Sequence, residues 1–339
     1  MKKSIDLSNI PEEELLELRI CDLPIKISGS WLEACIDELY KELDSKGILF
    51  KPFCYLADEW LSPDNEPIIG LPFYLAHPAL VKLEKKFMLD VEGSTKPWCM
   101  KLLRHEAGHA INYAYKLYKR RKWKEVFGSF QEEYAETYRF RPYSRSFVKH
   151  LEDYYAQYHP DEDFAETFAV WLAPNFDWEI QYRGWKALSK LRYVDSLMRE
   201  ISSKEPLLKR GKKYWQASRM KITLMNFYKK KRRDYREDFP DFHDINLKKI
   251  FQAQPHNSKN QKASEILKRY RKEILSSVSA WTGEKKYIID DLMRKLICRC
   301  RGLRLETDDN EPVTVLKISA YITTLVMNYL HTGWFGGDR

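Results

Sequence analysis

Apolar and polar residues along this chain fall into two alternating rhythms. In RICDLPIKI (19–27) they alternate closely enough to predict a strand that opens the fold, and a helix follows. In that helix Leu32, Cys35, Ile36 and Leu39 recur three and four apart, so they share one face. Residues 51–80, KPFCYLADEWLSPDNEPIIGLPFYLAHPAL, are rich in proline, aromatic and β-branched side chains. The turn signal SPDNEP divides them into two strand-like runs, which predicts a hairpin or a strand pair.

A long helix is expected from Trp98 to about Arg121, then a polar, aromatic-rich connection that includes RPYSR at 141–145. A second strong helix opens at His159-Pro160 and runs to about Leu172, before Pro174. From residue 186 the pattern is helical almost throughout. The stretch 313–330 is apolar and partly β-branched and predicts a core helix. Its apolar run, 318–330, is too short to span a membrane and sits beside Lys317. Strands early and helices late make an α+β chain. No internal repeat is visible, and the only biased tract is the short KKKRR run.

The chain has 339 residues, 44% hydrophobic and 14% aromatic, enough to bury a sizeable core in two domains. Its start, MKKSIDLSNIPEEELLELRI, lacks the apolar run of a secretory signal, so a soluble, cytoplasmic protein is expected. Six scattered cysteines suggest reduced, mostly buried thiols, since Cys298-Arg-Cys300 is too tight for a CxxC pair and has no second pair to join. The net charge of +9 is unevenly spread. Residues 1–200 carry 28 Lys/Arg against 33 Asp/Glu, and residues 201–339 carry 30 against 16. That shift predicts domains at 1–203 and 204–339, the second basic and mainly helical.

One stretch concentrates the chemistry. In LLRHEAGHAINYAY (102–115) His105 and His109 lie one helical turn apart on one face, where both rings can reach a single ion. Glu106 is rotated about 100° from His105. It is placed to take a proton from water rather than to be a third ligand, the role this glutamate has in HExxH helices. The bland alternative is a chance HExxH on a surface helix. Leu102, Leu103, Ala107, Ala110 and Ile111 instead imply a largely buried helix, whose histidines need partners.

The third ligand is best sought in YYAQYHPDEDFAETFAVWLAP (154–174). Asp161, Glu162 and Asp163 suit the positive end of a helix dipole, with Pro160 in the first turn. Glu166 lacks that explanation, because it sits one turn in among Phe164, Ala165, Phe168, Ala169 and Val170. A buried carboxylate there is costly without a cation, so Glu166 is the favoured ligand, with His159 or Asp163 as alternatives. Two histidines and a glutamate would hold zinc with a fourth position open. Tyr155 and His159 are the candidate donors to an oxyanion, Tyr154 and Tyr158 weaker ones, and packing explains any single tyrosine as well. Asp163 could orient a ligand histidine through its second nitrogen.

RHEAGHA together with YAQYHPDEDFAETFAVWL resembles a family of bacterial zinc-binding metallopeptidases within the gluzincin branch of the zincins. Tyr155, Ala156, His159, Pro160, Glu162, Asp163, Phe164, Ala165 and Glu166 stand where that family's segment has them. Glu166-Thr167-Phe168-Ala169 is also similar to the third-ligand segment of anthrax lethal-factor-like peptidases. PFYLAHPAL (72–80) and WCMKLLRHEAGHA, headed by Pro97, read like the same subgroup. The resemblance spans about residues 18–200. It implies a zincin-like domain, with a small mixed sheet packed on the HExxH helix, and a zinc peptidase acting on a peptide or small amide. It also implies a possible link to ATP-grasp ligases, beside which such proteins often sit. Several relatives have an acid where this chain has Asn112, which puts the surroundings of the ligands, though not the ligands, in question.

Residues 209–238, KRGKKYWQASRMKITLMNFYKKKRRDYRED, could be read as a nucleic-acid surface, with Tyr214, Trp215, Phe227 and Tyr228 able to stack. The charges recur at helical spacing between apolar residues, however, and acids follow at once. A solvated helix face, or docking to an acidic partner, explains them more simply. A non-catalytic zincin scaffold that binds a peptide or a ligase is the other alternative to an enzyme.

Overall fold

The computed structural model describes residues 6–134, 141, 144–151, 154–233, 243–251, 261–307 and 310–332. Residues 142–143 of RPYSR and 234–238 of the basic stretch lie outside the described residues. The chain is mixed α and β, with helices dominant and very little sheet. It forms two compact units, Met1–Lys86 with Val91–Phe227, and Phe87–Asp90 with Tyr228–Arg339.

The first unit opens with helix α1 (Glu12–Glu17) and a 3-10 turn at Ile20–Asp22, not with the predicted strand. The amide of Asp22 donates to the carbonyl of Arg19 at 2.9 Å, and the Arg19 guanidinium pairs with the Asp22 carboxylate at 2.6 Å. These local bonds coil the segment, and Arg19 alone forms a β-bridge there, to Thr223. Helix α2 (Trp31–Ser45) buries Leu32, Cys35, Ile36 and Leu39, the face that their spacing predicts.

Strands β1 (Phe53–Ala57) and β2 (Ile68–Pro72) pair in parallel, from Phe53↔Ile68 to Ala57↔Pro72, so they are a strand pair and not a hairpin. The link between them folds back along the other side of β2. There Leu61 and Gly70 exchange both backbone bonds, at 3.3 and 2.8 Å. Gly70 permits that approach, since a Cβ there would lie 2.4 Å from the Leu61 side chain.

Helix α3 (Pro78–Met88) precedes α4 (Lys96–Ala114), the helix of the HExxH motif. It ends earlier than its apolar pattern predicts, because Lys116 takes a left-handed conformation at φ 50°. A 3-10 turn and a separate short helix, α5 (Arg121–Phe127), follow. Helix α6 (Pro160–Leu172) has the predicted bounds and is buried along its whole length. Phe164 packs between Trp123 and Phe127 of α5, with ring centroids 5.9 and 5.4 Å away. Each such buried aromatic or aliphatic side chain stabilises the core by about 1.5–3 kcal/mol relative to exposure. Helices α7 (Trp178–Gln181) and α8 (Ala187–Ile201) follow, and the division between the units falls within α9 (Leu224–Arg233).

The division falls after Phe227 rather than at 203/204. Residues beyond 204 stay bonded to the first unit: Leu208 to Ala114, Tyr55 to Tyr214 and Ile20 to Ile222 through backbone partners at 2.9–3.0 Å. Charge marks the surface of this segment, whereas hydrogen bonding decides where it belongs.

The second unit contains α10 (Asp244–Ile250), β3 (Gln261–Lys262), α11 (Ala263–Arg269), α12 (Arg271–Thr282), α13 (Lys286–Gly302), β4 (Glu306–Thr307) and α14 (Glu311–Thr332). β3 and β4 form a two-residue antiparallel ladder. Helix α14 has 22 residues, longer than its apolar run suggests. Among the described residues it is the one helix long and apolar enough to cross a membrane, by length and composition. Ile318, Ile322, Leu325 and Val326 are buried along one stripe. Only 28% of the helix's apolar stretch is buried, however, and Leu316 is exposed, so α14 is an amphipathic helix rather than the fully buried core helix expected. All six cysteines are free thiols.

Candidate metal centre

The site lies where α4 crosses α6. Ala107 and Ala110 keep α4 slim, and Gly108 lets α6 approach so closely that a Cβ there would sit 2.8 Å from the Ala165 Cα. Across this contact the partners run in opposite order along the two helices. His105 Nδ1 lies 2.8 Å from Glu166 Oε1, and His109 Nδ1 lies 2.7 Å from Asp161 Oδ2. A carboxylate can only accept, so both rings carry a proton on Nδ1 and turn Nε2 inward. The two Nε2 atoms are 3.2 Å apart, and Glu162 Oε2 completes a triangle at 3.1 Å from His105 and 3.2 Å from His109.

Two inward-facing nitrogens and one carboxylate oxygen in so small a buried triangle must share a proton or a cation. A proton on each Nε2 would set two N–H groups against each other at 3.2 Å. A divalent ion could take the place of such protons. Tetrahedral ligands about 2.0 Å from zinc stand about 3.3 Å from one another, which the triangle matches closely. Among the described residues His105, His109 and Glu162 are the group whose ligand atoms converge in this way.

Glu166, the ligand expected from the sequence, is instead the backing group of His105. Its second oxygen accepts from the Leu151 amide at 2.9 Å, so neither oxygen faces the triangle. Asp161 backs His109 and is itself held by Asn112 Nδ2 at 2.6 Å and the Tyr113 hydroxyl at 2.5 Å. The Asn112 carbonyl accepts from the Tyr118 amide at 2.9 Å, which fixes the amide's orientation. A carboxylate at 112 would face Asp161 without a proton to share, so an asparagine suits the residue opposite.

Asp163 does not orient a histidine. It is ion-paired with Lys190, and burial raises its pKa to about 7 against the pull of that ammonium. Both ring nitrogens of His159 are engaged away from the triangle. It caps α6 with Nδ1, which accepts from the Asp161 amide at 3.1 Å, and its Nε2 donates to the Glu132 carbonyl at 2.9 Å. Tyr155 does reach the site, its ring 5.5 Å from that of His105. Burial and the nearby carboxylates of Glu162, Glu106 and Glu166 raise its pKa, so the phenol keeps its proton.

Burial opposes charge on His105, but Glu162 and Glu166 outweigh it and lift the imidazole to about 9. Burial likewise opposes charge on His109, and Asp161 and Glu162 raise it well above its ordinary value. Burial raises Glu106, and the two imidazoles only partly offset the rise. That places a carboxylate of enhanced basicity beside the triangle.

Sequence reasoning missed Glu162, Asp161, Tyr113 and Tyr134, whose hydroxyl donates to Glu162 Oε1 at 3.1 Å. A signal for two of them was present. The burial argument applied to Glu166 holds equally for Asp161 and Glu162 on a helix apolar all round, and Glu162 and Glu166 repeat the four-residue spacing of the histidines. Comparison with protein-family models, curated proteins and solved structures found no match to this chain. The function is therefore read from the chemistry of the site.

Proposed function

We propose that the first unit is a zincin-like domain and that the protein is a zinc-dependent hydrolase of a peptide or small amide, working in the cytoplasm. The observation that carries this reading is the buried triangle of His105, His109 and Glu162 with Glu106 beside it. Zinc held there would act as a Lewis acid, making water a nucleophile at neutral pH and polarising the scissile carbonyl.

The chain's own residues supply the rest. Glu106 takes a proton from the attacking water as its oxygen bonds to the carbonyl carbon, and delivers that proton to the amine as the C–N bond breaks. Burial suits Glu106 to both halves of the transfer by bringing its pKa closer to neutral. Tyr155 donates a hydrogen bond to the oxygen on which charge develops. Asp161 and Glu166 hold the imidazoles in the Nδ1–H tautomer.

Glu106→Gln should keep zinc and lose hydrolysis by a factor of about 10²–10⁴ or more, measured on a peptide library with zinc-loaded protein. Equal cleavage by both proteins would remove Glu106 from the mechanism. A wild-type protein that binds zinc but cleaves nothing would favour a silent scaffold docked to a peptide or a ligase. Elemental analysis separates zinc from iron(II), which two histidines and one carboxylate also suit.

A further inference from the structure

We infer that Tyr134 is a positioning residue that holds Glu162 to one-oxygen ligation and so keeps a place open for water. This rests on the reading of the triangle as a metal site. Glu162 directs Oε2 at the two Nε2 atoms, and Oε1 accepts from the Tyr134 hydroxyl at 3.1 Å. If Oε1 were free to turn inward, the carboxylate could ligate through both oxygens and fill the position that hydrolysis needs vacant.

The segment that carries Tyr134 is built to hold it there. Its ring stacks on that of His159, with centroids 4.0 Å apart and planes at 14°. His159 Nε2 donates to the carbonyl of Glu132, two residues earlier. Phe130, in the same segment, stacks on Tyr118 with centroids 4.2 Å apart and lies edge-on to Tyr113 and Trp123. His159 thus acts through Tyr134, which explains a histidine at the cap of α6 that never reaches the triangle. Packing alone does not account for the tyrosine, because Tyr134 is 43% exposed and a phenylalanine would stack equally well. Among the described residues the hydroxyl bonds to the Glu162 carboxylate.

Cobalt(II) reports ligation number through its visible absorption, which is intense with four ligands and weak with five or more. Wild type loaded with cobalt should show the intense spectrum. In Tyr134→Phe the absorptivity per bound cobalt should fall by about half or more as Oε1 joins the ion. Tyr134→His, which restores an N–H donor on a flat ring, should recover it. An unchanged spectrum in Tyr134→Phe, with cobalt bound, would overturn the role of Tyr134 and leave the metal site standing. Failure of the wild type to bind cobalt would overturn both.

Discussion

Four acidic side chains within residues 161–166 do three different jobs, and direction around the helix separates them. Asp161 backs His109, Glu162 faces both Nε2 atoms, Asp163 turns to Lys190, and Glu166 backs His105. Helix-dipole complementarity explains why acids are tolerated in the first turn of α6, but it does not prevent one of them from being a ligand. The histidine pair was legible because one helical turn fixes its common face. The convergence of Glu162 rather than Glu166 on the two Nε2 atoms was not, because burial alone cannot distinguish a carboxylate that faces a possible cation from one held by an imidazole N–H. Asn112 tests the same logic. Asn112→Asp removes a donor from Asp161 and adds a buried acid facing it, so stability should fall by about 1–3 kcal/mol in urea unfolding. Unchanged stability would mean that Asp161 does not depend on this amide.

At the scale of elements the site is a contact between two helices, and their closeness sets every distance in it. Gly108→Ala would push against the Ala165 backbone, which cannot swing aside as a side chain can. The expected cost is about 1–3 kcal/mol, read as a lower urea midpoint, with weaker zinc binding as Glu162 is displaced. A variant as stable as wild type would show that the helices have room to spare. The bounds of α6 and the buried face of α2 were legible, since proline, cap and apolar spacing all agree there. The opening strand and the parallel pairing of β1 with β2 were not. The first was lost to local 3-10 bonds around Asp22, and the second depends on where Leu61 returns, which no local pattern records.

For the whole molecule, composition indicated two units but misplaced their division. Seven of the 30 Lys/Arg in residues 201–339, those at 204–221, belong to a segment bound to the first unit. Lys213 there lies over the Phe53 ring at 4.2 Å, and the Lys212 amide donates to Glu66 at 2.7 Å. Net charge is a property of surfaces, and a domain is defined by its contacts. What ties the molecule to a function is the division of labour between two glutamates on α6. Zinc affinity, measured by competition with a chromophoric chelator, tests it directly in Glu162→Gln and Glu166→Gln. The account predicts about one zinc per wild-type chain, an affinity loss of about 10–100-fold in Glu166→Gln, and a far larger loss in Glu162→Gln. The reverse order of losses, or a wild-type chain that takes up no zinc, would contradict it.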